Sequence, residues 1–167
     1  FARRCLAFGL KVLYTGPRPL PRADEALLNA AFLPLEELLP LSDFLSLHLP
    51  LTPESRHLLD RRRIGLMKPG SILINTSRGP IVDEEALADS LLEGRLWGAG
   101  LDVFEQEPQI HPKLLLAERT VLLPHIGSAT EETRTRMAWM TVEALKETFA
   151  GRVPPFLVPP WRERVSP

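Results

Sequence analysis

An arginine, a carboxylate and a histidine arrive in turn at the ends of three apolar runs. Ile72-Leu73-Ile74 gives way to Asn75, Thr76, Ser77, Arg78 and Gly79. "GAGLDVF" turns polar at Asp102 and continues to Glu105 and Glu107, and "TVLLPHI" leads into His125, Gly127, Ser128 and Thr130. A guanidinium is a planar fork of donors that matches a carboxylate bidentately, so Arg78 can hold an α-keto acid and polarise its carbonyl. A histidine can deliver the proton that a ketone needs as hydride arrives. A nearby carboxylate favours the imidazolium and keeps more of the acid form present near neutrality. No side chain donates hydride, so the set points to carbonyl reduction with the hydride supplied by a cofactor. Each residue alone has a plainer reading: a surface ion pair for Arg78, a loop residue for His125, a turn residue for Glu107 before Pro108. Their arrival at successive strand ends is what makes a site.

The elements that must position them are short. Apolar runs at 11–15, 30–33, 43–49, 71–77, 98–104 and 120–126 alternate with helical patterns from Arg22, Leu35, Glu54 and Asp83. A long final helix is expected from Glu131 to Ala150, stopped by Gly151. Asp83 opens its helix with acids in the first turn, which suits the helix dipole, and Gly94 ends it. Runs apolar on both faces and separated by helices predict an α/β fold, a doubly wound parallel sheet of the Rossmann type. Ligands of such sheets bind beyond the carboxyl ends of the strands, which adds Pro50 and Thr52 to the candidate region. Residues 1–150 are expected to form the dinucleotide-binding domain. "FARRCLAFG" reads as a helix entered partway, so that domain is expected to be N-terminally truncated. The proline-rich tail, 151–167, is expected to leave it. The "RRR" at 61–63 reads as a solvated helix face.

Composition narrows the function classes. A hydrophobic content of 44% over 167 residues allows one domain with a sizeable core. A net charge of −1 gives no excess of positive charge for nucleic acid or an anionic membrane. No apolar run approaches the roughly 20 residues a membrane helix needs. The single cysteine, Cys5, rules out an intrachain disulfide framework and suits a reducing compartment, the cytoplasm. Cys5 is expected to be a small buried residue, Trp139 to pack in a core, with presentation by the final helix to a partner as the alternative, and His48, His57 and His111 to be structural or surface residues. Clustered metal ligands are missing, so no metal is expected.

"INTSRGPIVDEEAL", "GAGLDVFEQEP" and "LLPHIGSAT" resemble three signatures of the D-isomer-specific 2-hydroxyacid dehydrogenases, in particular the glyoxylate and hydroxypyruvate reductases. The resemblance runs from the first residues to about Val158. It implies that Arg78 binds the substrate carboxylate and carbonyl, that Glu107 supports the histidine, and that His125 is the acid/base. It further implies that Asp102 contacts the nicotinamide carboxamide, that Pro50, Thr52, Thr76, Ser77 and Gly127 line the cofactor pocket, and that Ser128 approaches the substrate. A homodimer is implied for the full-length protein.

Two departures bear on the cofactor. The G-x-G-x-x-G phosphate loop of the family is expected just before Phe1 and is absent from the chain, as is the bulk of the substrate domain. Such loops bind pyrophosphate through backbone N–H groups at a helix start, so the chain alone should hold cofactor poorly. Second, where an NAD enzyme places an acid on the ribose 2′-hydroxyl, this chain reads "LYTGPRP". Arg18 can pair with a 2′-phosphate, with Thr15 and Gly16 beside it, which favours NADP(H) over NAD(H). Two alternatives stay open on sequence: a dinucleotide-sensing binding protein of the corepressor type, and an inactive truncated fragment.

Overall fold

Each of the apolar runs carries a parallel strand in the computed structural model, which describes residues 1–158. The order is α1 (Ala2–Ala7), β1 (Val12–Tyr14), α2 (Arg22–Leu28), β2 (Ala30–Phe32), α3 (Leu35–Leu38) and β3 (Phe44–Leu47). Then follow α4 (Arg61–Leu66), β4 (Ile72–Asn75), α5 (Glu84–Leu92), β5 (Gly98–Leu101), β6 (Thr120–Leu122) and α6 (Glu131–Phe149). Short 3-10 turns lie at Leu39–Leu41, Gly79–Ile81 and Pro112–Leu116. The chain divides into two compact units, Phe1–Pro124 and a second that begins at His125.

Within the first unit the strands form two sheets rather than the single one expected. β1 pairs with β2, and β3, β4, β5 and β6 pair in that order. Phe44 stands opposite Ile72, Ile72 opposite Gly98, and Ala99 opposite Thr120. Among the described residues, neither β1 nor β3 has a strand partner on its other side. That is the place which a doubly wound order, 3-2-1-4-5-6, gives to its first strand. Both sheets still serve one core. Leu13 of β1 and Leu33 pack against the cluster that holds Leu45, Leu47, Leu73 and Leu101. Helix α5 covers this cluster with Ala86, Leu87 and Leu91, an apolar stripe at helical spacing. Asp83 caps α5 by accepting from the Ala86 N–H at 2.9 Å, and Gly94 leaves it at φ +71°.

The helix expected from Glu54 starts only at Arg61. His57 sits at φ +48°, which a right-handed helix excludes, and Leu59 instead pairs with Val82 in an isolated parallel bridge. Asp60 then caps α4 by accepting from the Arg63 N–H at 2.8 Å. The arginines of α4 are spent on ion pairs, Arg61 with Asp89 at 2.7 Å and Arg62 with Glu36 at 2.5 Å, in keeping with a solvated face.

The second unit opens with His125 and continues into α6, capped by Thr130, which accepts from the Thr133 N–H at 3.2 Å. No residue of α6 is buried, and Trp139 is 66% exposed where core packing was expected. Cys5 is half-buried rather than buried, because α1 contributes nothing to the core. Gly151 ends α6 at φ +68°, and 152–158 form no helix or strand. The rest of the tail, 159–167, lies outside the described residues. Among those described, no helix is long and apolar enough to cross a membrane, and no three His, Cys, Asp or Glu side chains gather as metal ligands.

Candidate active site

The turn after β4 is built around Asn75. This side chain is 1% exposed and closes the turn from both ends, accepting from the Ser77 N–H at 3.0 Å and donating to the Arg78 carbonyl at 3.0 Å. Asparagine at this point offers the backbone a local alternative to strand pairing, and the chain leaves the sheet. Ser77 ties the turn to the end of β3: its hydroxyl donates to the Leu47 carbonyl at 2.7 Å and accepts from the Leu49 N–H at 3.2 Å. Thr76 and Arg78 are left exposed on this frame. The Arg78 guanidinium folds back onto the Ser77 carbonyl at 2.6 Å, so its remaining donors face outward from a fixed turn.

The turn after β5 is joined to it. Asp102 is 5% exposed, and its N–H donates to the Asn75 carbonyl at 3.0 Å. Glu107 is exposed and accepts from the Phe104 N–H at 3.1 Å, with the Gln109 N–H to Gln106 carbonyl bond closing the turn at 2.9 Å. Gly79 is where the two turns touch. A Cβ there would lie 1.8 Å from the Phe104 carbonyl oxygen and 2.5 Å from the Glu105 nitrogen, so only glycine permits this approach. Arg78 and Glu107 therefore belong to two turns in backbone contact, past the carboxyl ends of neighbouring strands.

Pro50 and Thr52 follow β3 on a loop that Ser55 organises. Its buried hydroxyl donates to the Pro50 carbonyl at 2.8 Å and accepts from the Thr52 N–H at 2.7 Å. Thr15, Gly16 and Arg18 lie past β1, on the other sheet, and all three are exposed. Tyr14 brackets their loop: its hydroxyl accepts from the Leu20 N–H at 2.6 Å and donates to Glu25 at 2.7 Å. Burial, then the bond to Glu25, raises the Tyr14 pKa above its ordinary value. His125, Gly127 and Ser128 follow β6 at the start of the second unit, and all are exposed. His125 adopts φ +54°, a conformation uncommon outside glycine and enriched in histidine and asparagine.

Three groups hold these turns, two of them, Ser55 and Glu84, passed over by sequence reasoning and the third, His57, expected there only as a structural or surface residue. Ser55 had a legible signal, a serine three residues after Thr52. His57 and Glu84 had none, because their partner Glu105 is distant in the chain: the His57 ring lies 2.6 Å from Glu105, and Glu84 accepts from the Glu105 N–H. Burial holds the Glu84 carboxyl above the usual range, against the opposing pull of backbone hydrogen bonds from Glu105 and His111.

Parallel strands with flanking helices and a polar cluster past their carboxyl ends define a dinucleotide-binding domain of the Rossmann type. A family model described as the NAD binding domain of D-isomer specific 2-hydroxyacid dehydrogenases matches residues 1–127, and the chain belongs to that family. The glyoxylate reductase of Thermococcus litoralis is 46% identical over 157 residues, 94% of this chain and 47% of that protein. That of Korarchaeum cryptofilum is 49% identical over 160 residues, again 94% of this chain and 47% of the other. The D-lactate dehydrogenase of Aquifex aeolicus, solved complexed with NAD and lactic acid, superposes with a TM-score of 0.80 at 36% identity, covering 90% of this chain and 49% of that one. The chain thus spans about half the length of these relatives.

Proposed function

We propose that this chain is the cofactor-binding part of an NAD(P)H-dependent reductase of small 2-keto acids such as glyoxylate or hydroxypyruvate, giving the D-2-hydroxy acid. The observation that carries the reading is the exposed Arg78 on a turn locked by buried Asn75 and in backbone contact, through Gly79, with the Glu107 turn. A guanidinium held this way can exchange its bond to the Ser77 carbonyl for the carboxylate of a keto acid and polarise the adjacent carbonyl. The roles assigned to His125, acid/base toward the carbonyl oxygen, and to Glu107, support of the histidine, are those the family signatures imply. Ser128 contacts the substrate.

The donor and acceptor set fits a nicotinamide dinucleotide, which supplies the hydride when bound. Asp102, at the carboxyl end of β5, offers a carboxylate acceptor to the carboxamide N–H2. Pro50, Thr52, Thr76 and Ser77 are assigned to cofactor contacts, and Gly127 is assigned there from its family signature. Thr15, Gly16 and Arg18 meet the adenosine end, where the Arg18 charge and the lack of an acid favour NADP(H) over NAD(H). We assign the active protein to the cytoplasm, in keeping with its single cysteine, and to a homodimer.

The test is a panel of glyoxylate, hydroxypyruvate and pyruvate, assayed with NADPH and NADH on the product of the full reading frame. Reduction of at least one acid is expected, with the higher kcat/KM for NADPH. No reduction with either cofactor refutes the reductase reading, and a clear NADH preference refutes the role given to Arg18.

A further inference from the structure

Three segments meet at the Arg78 and Glu107 turns and are tied by side chains to which the proposed function assigns no ligand contact. The first, 56–59, carries His57. The second, 78–84, runs from Arg78 to Glu84. The third, 104–107, runs from Phe104 to Glu107. The His57 N–H donates to the Pro80 carbonyl at 2.8 Å, and the Leu59 N–H to the Ile81 carbonyl at 3.0 Å, which fixes the first segment to the second. The His57 ring then reaches the third, with Nε2 2.6 Å from Glu105 Oε1. Arg56 lies 3.5 Å from the same oxygen. Glu84 and Glu105 bind reciprocally: the Glu84 carboxylate accepts from the Glu105 N–H, and the Glu84 N–H donates to Glu105 Oε2 at 3.5 Å.

Glu105 is the hub of this arrangement. Its side chain is 20% exposed, and both carboxylate oxygens and its N–H are engaged across segments. The close approach at Gly79 brings the second and third segments together, and the carboxylate bonds add directional ties between them. His57 meanwhile holds a left-handed conformation that its local sequence does not require. That conformation aims the ring at Glu105 while the His57 N–H stays on Pro80.

We propose that Glu105 and His57 are positioning residues that clamp the Arg78 turn onto the Glu107 turn and so set the spacing between carboxylate grip and proton-transfer support. The proposal rests on the reductase reading above. A displacement of about 1 Å at a positioning group can cost a reaction on the order of 100-fold, so the clamp matters for rate and not only for folding. A purely structural role predicts something different: a lowered melting temperature with unchanged kinetics in the folded protein.

The test uses Glu105→Ala, Glu105→Gln and His57→Asn in the product of the full reading frame. Asparagine tolerates the positive φ at 57 but is too short to reach Glu105 as the ring does. Kinetics are measured with the keto acid varied and then with the cofactor varied. Amide exchange is followed at His57, with Leu73 and Leu101 reporting that the sheet is intact. Glu105→Ala and His57→Asn are expected to lower kcat/KM for the keto acid at least tenfold, leave KM for cofactor within about threefold, and speed exchange of the backbone amide at position 57. Glu105→Gln retains an acceptor for the His57 ring and is expected to recover most of the loss. If Glu105→Ala does not fold, His57→Asn decides by the same readouts. A wild type that reduces keto acids normally while both variants keep wild-type kinetics overturns the clamp alone. A wild type that reduces no keto acid overturns the reductase reading and the positioning role with it.

Discussion

Replacing Asn75 by alanine removes the two bonds that close the turn under Arg78. Both are neutral and 3.0 Å long, and the side chain that makes them is 1% exposed, so water does not readily replace it. A neutral hydrogen bond contributes about 0.5–1.5 kcal/mol net, and a partner left unsatisfied adds to the loss. The expected destabilisation is therefore about 2–4 kcal/mol. With a urea slope of about 2 kcal/mol per M, the midpoint should fall by about 1–2 M, read by far-UV circular dichroism. Asn75→Asp separates the two bonds. An aspartate still accepts from Ser77 N–H, but it turns a second oxygen toward the Arg78 carbonyl where the amide donated. Burial raises such a carboxyl above its ordinary pKa, so the proton is held more tightly folded than unfolded. The variant should be weakest at neutral pH and gain stability relative to wild type as pH falls through that raised value, because the protonated acid can donate again. An Asn75→Ala loss below about 1 kcal/mol, or an Asn75→Asp deficit that ignores pH, would refute this account of the turn.

Arg78→Lys keeps the charge but loses the fork; kcat/KM for the keto acid should fall at least about tenfold in steady-state assays, with cofactor KM little changed. Glu84→Gln tests the buried carboxyl. Because burial raises its pKa, wild-type stability should decline as pH rises from the ordinary glutamate value through the raised one, and the variant should lose that slope in pH-resolved urea melts. Leu59→Ala empties a fully buried site between the first and second clamp segments and should cost about 2–5 kcal/mol by urea unfolding.

Strand positions were legible because apolar runs flanked by turn residues carry their own signal, as at Ile72–Asn75 and Thr120–Leu122. Helix α5 was equally legible: Asp83 and Gly94 bracket it within a residue of expectation. The stretch after Glu54 failed for a physical reason. Its apolar spacing suits a helix, yet His57 and Leu59 bond to Pro80 and Ile81, and no local pattern announces a partner more than twenty residues away. The division into two sheets was equally unreadable, since pairing is decided by neighbours in space. Of the candidate site, Arg78, Asp102 and Glu107 could be anticipated from residue type at strand ends. The contact that joins their turns, Gly79 against Phe104, could not, because a glycine in a polar turn looks like any other.

The distribution of buried side chains has a consequence for how the domain opens. Every fully buried residue lies from Leu38 onward; α1, β1, α2 and β2 contribute partial cover and no interior. Local stability follows buried contacts, so in this chain taken alone residues 1–37 are the portion that should detach first while β3 to β6 hold. The loop after β1 that is proposed to discriminate between cofactors rides on that yielding portion, whereas Arg78 and Glu107 ride on the stiff one. Cofactor choice would then be made on ground that ligand must first quieten, and protease nicking before Leu38 would slow as the adenosine end engages. The grip that Arg78 is proposed to take on the keto acid would stay on the part that holds.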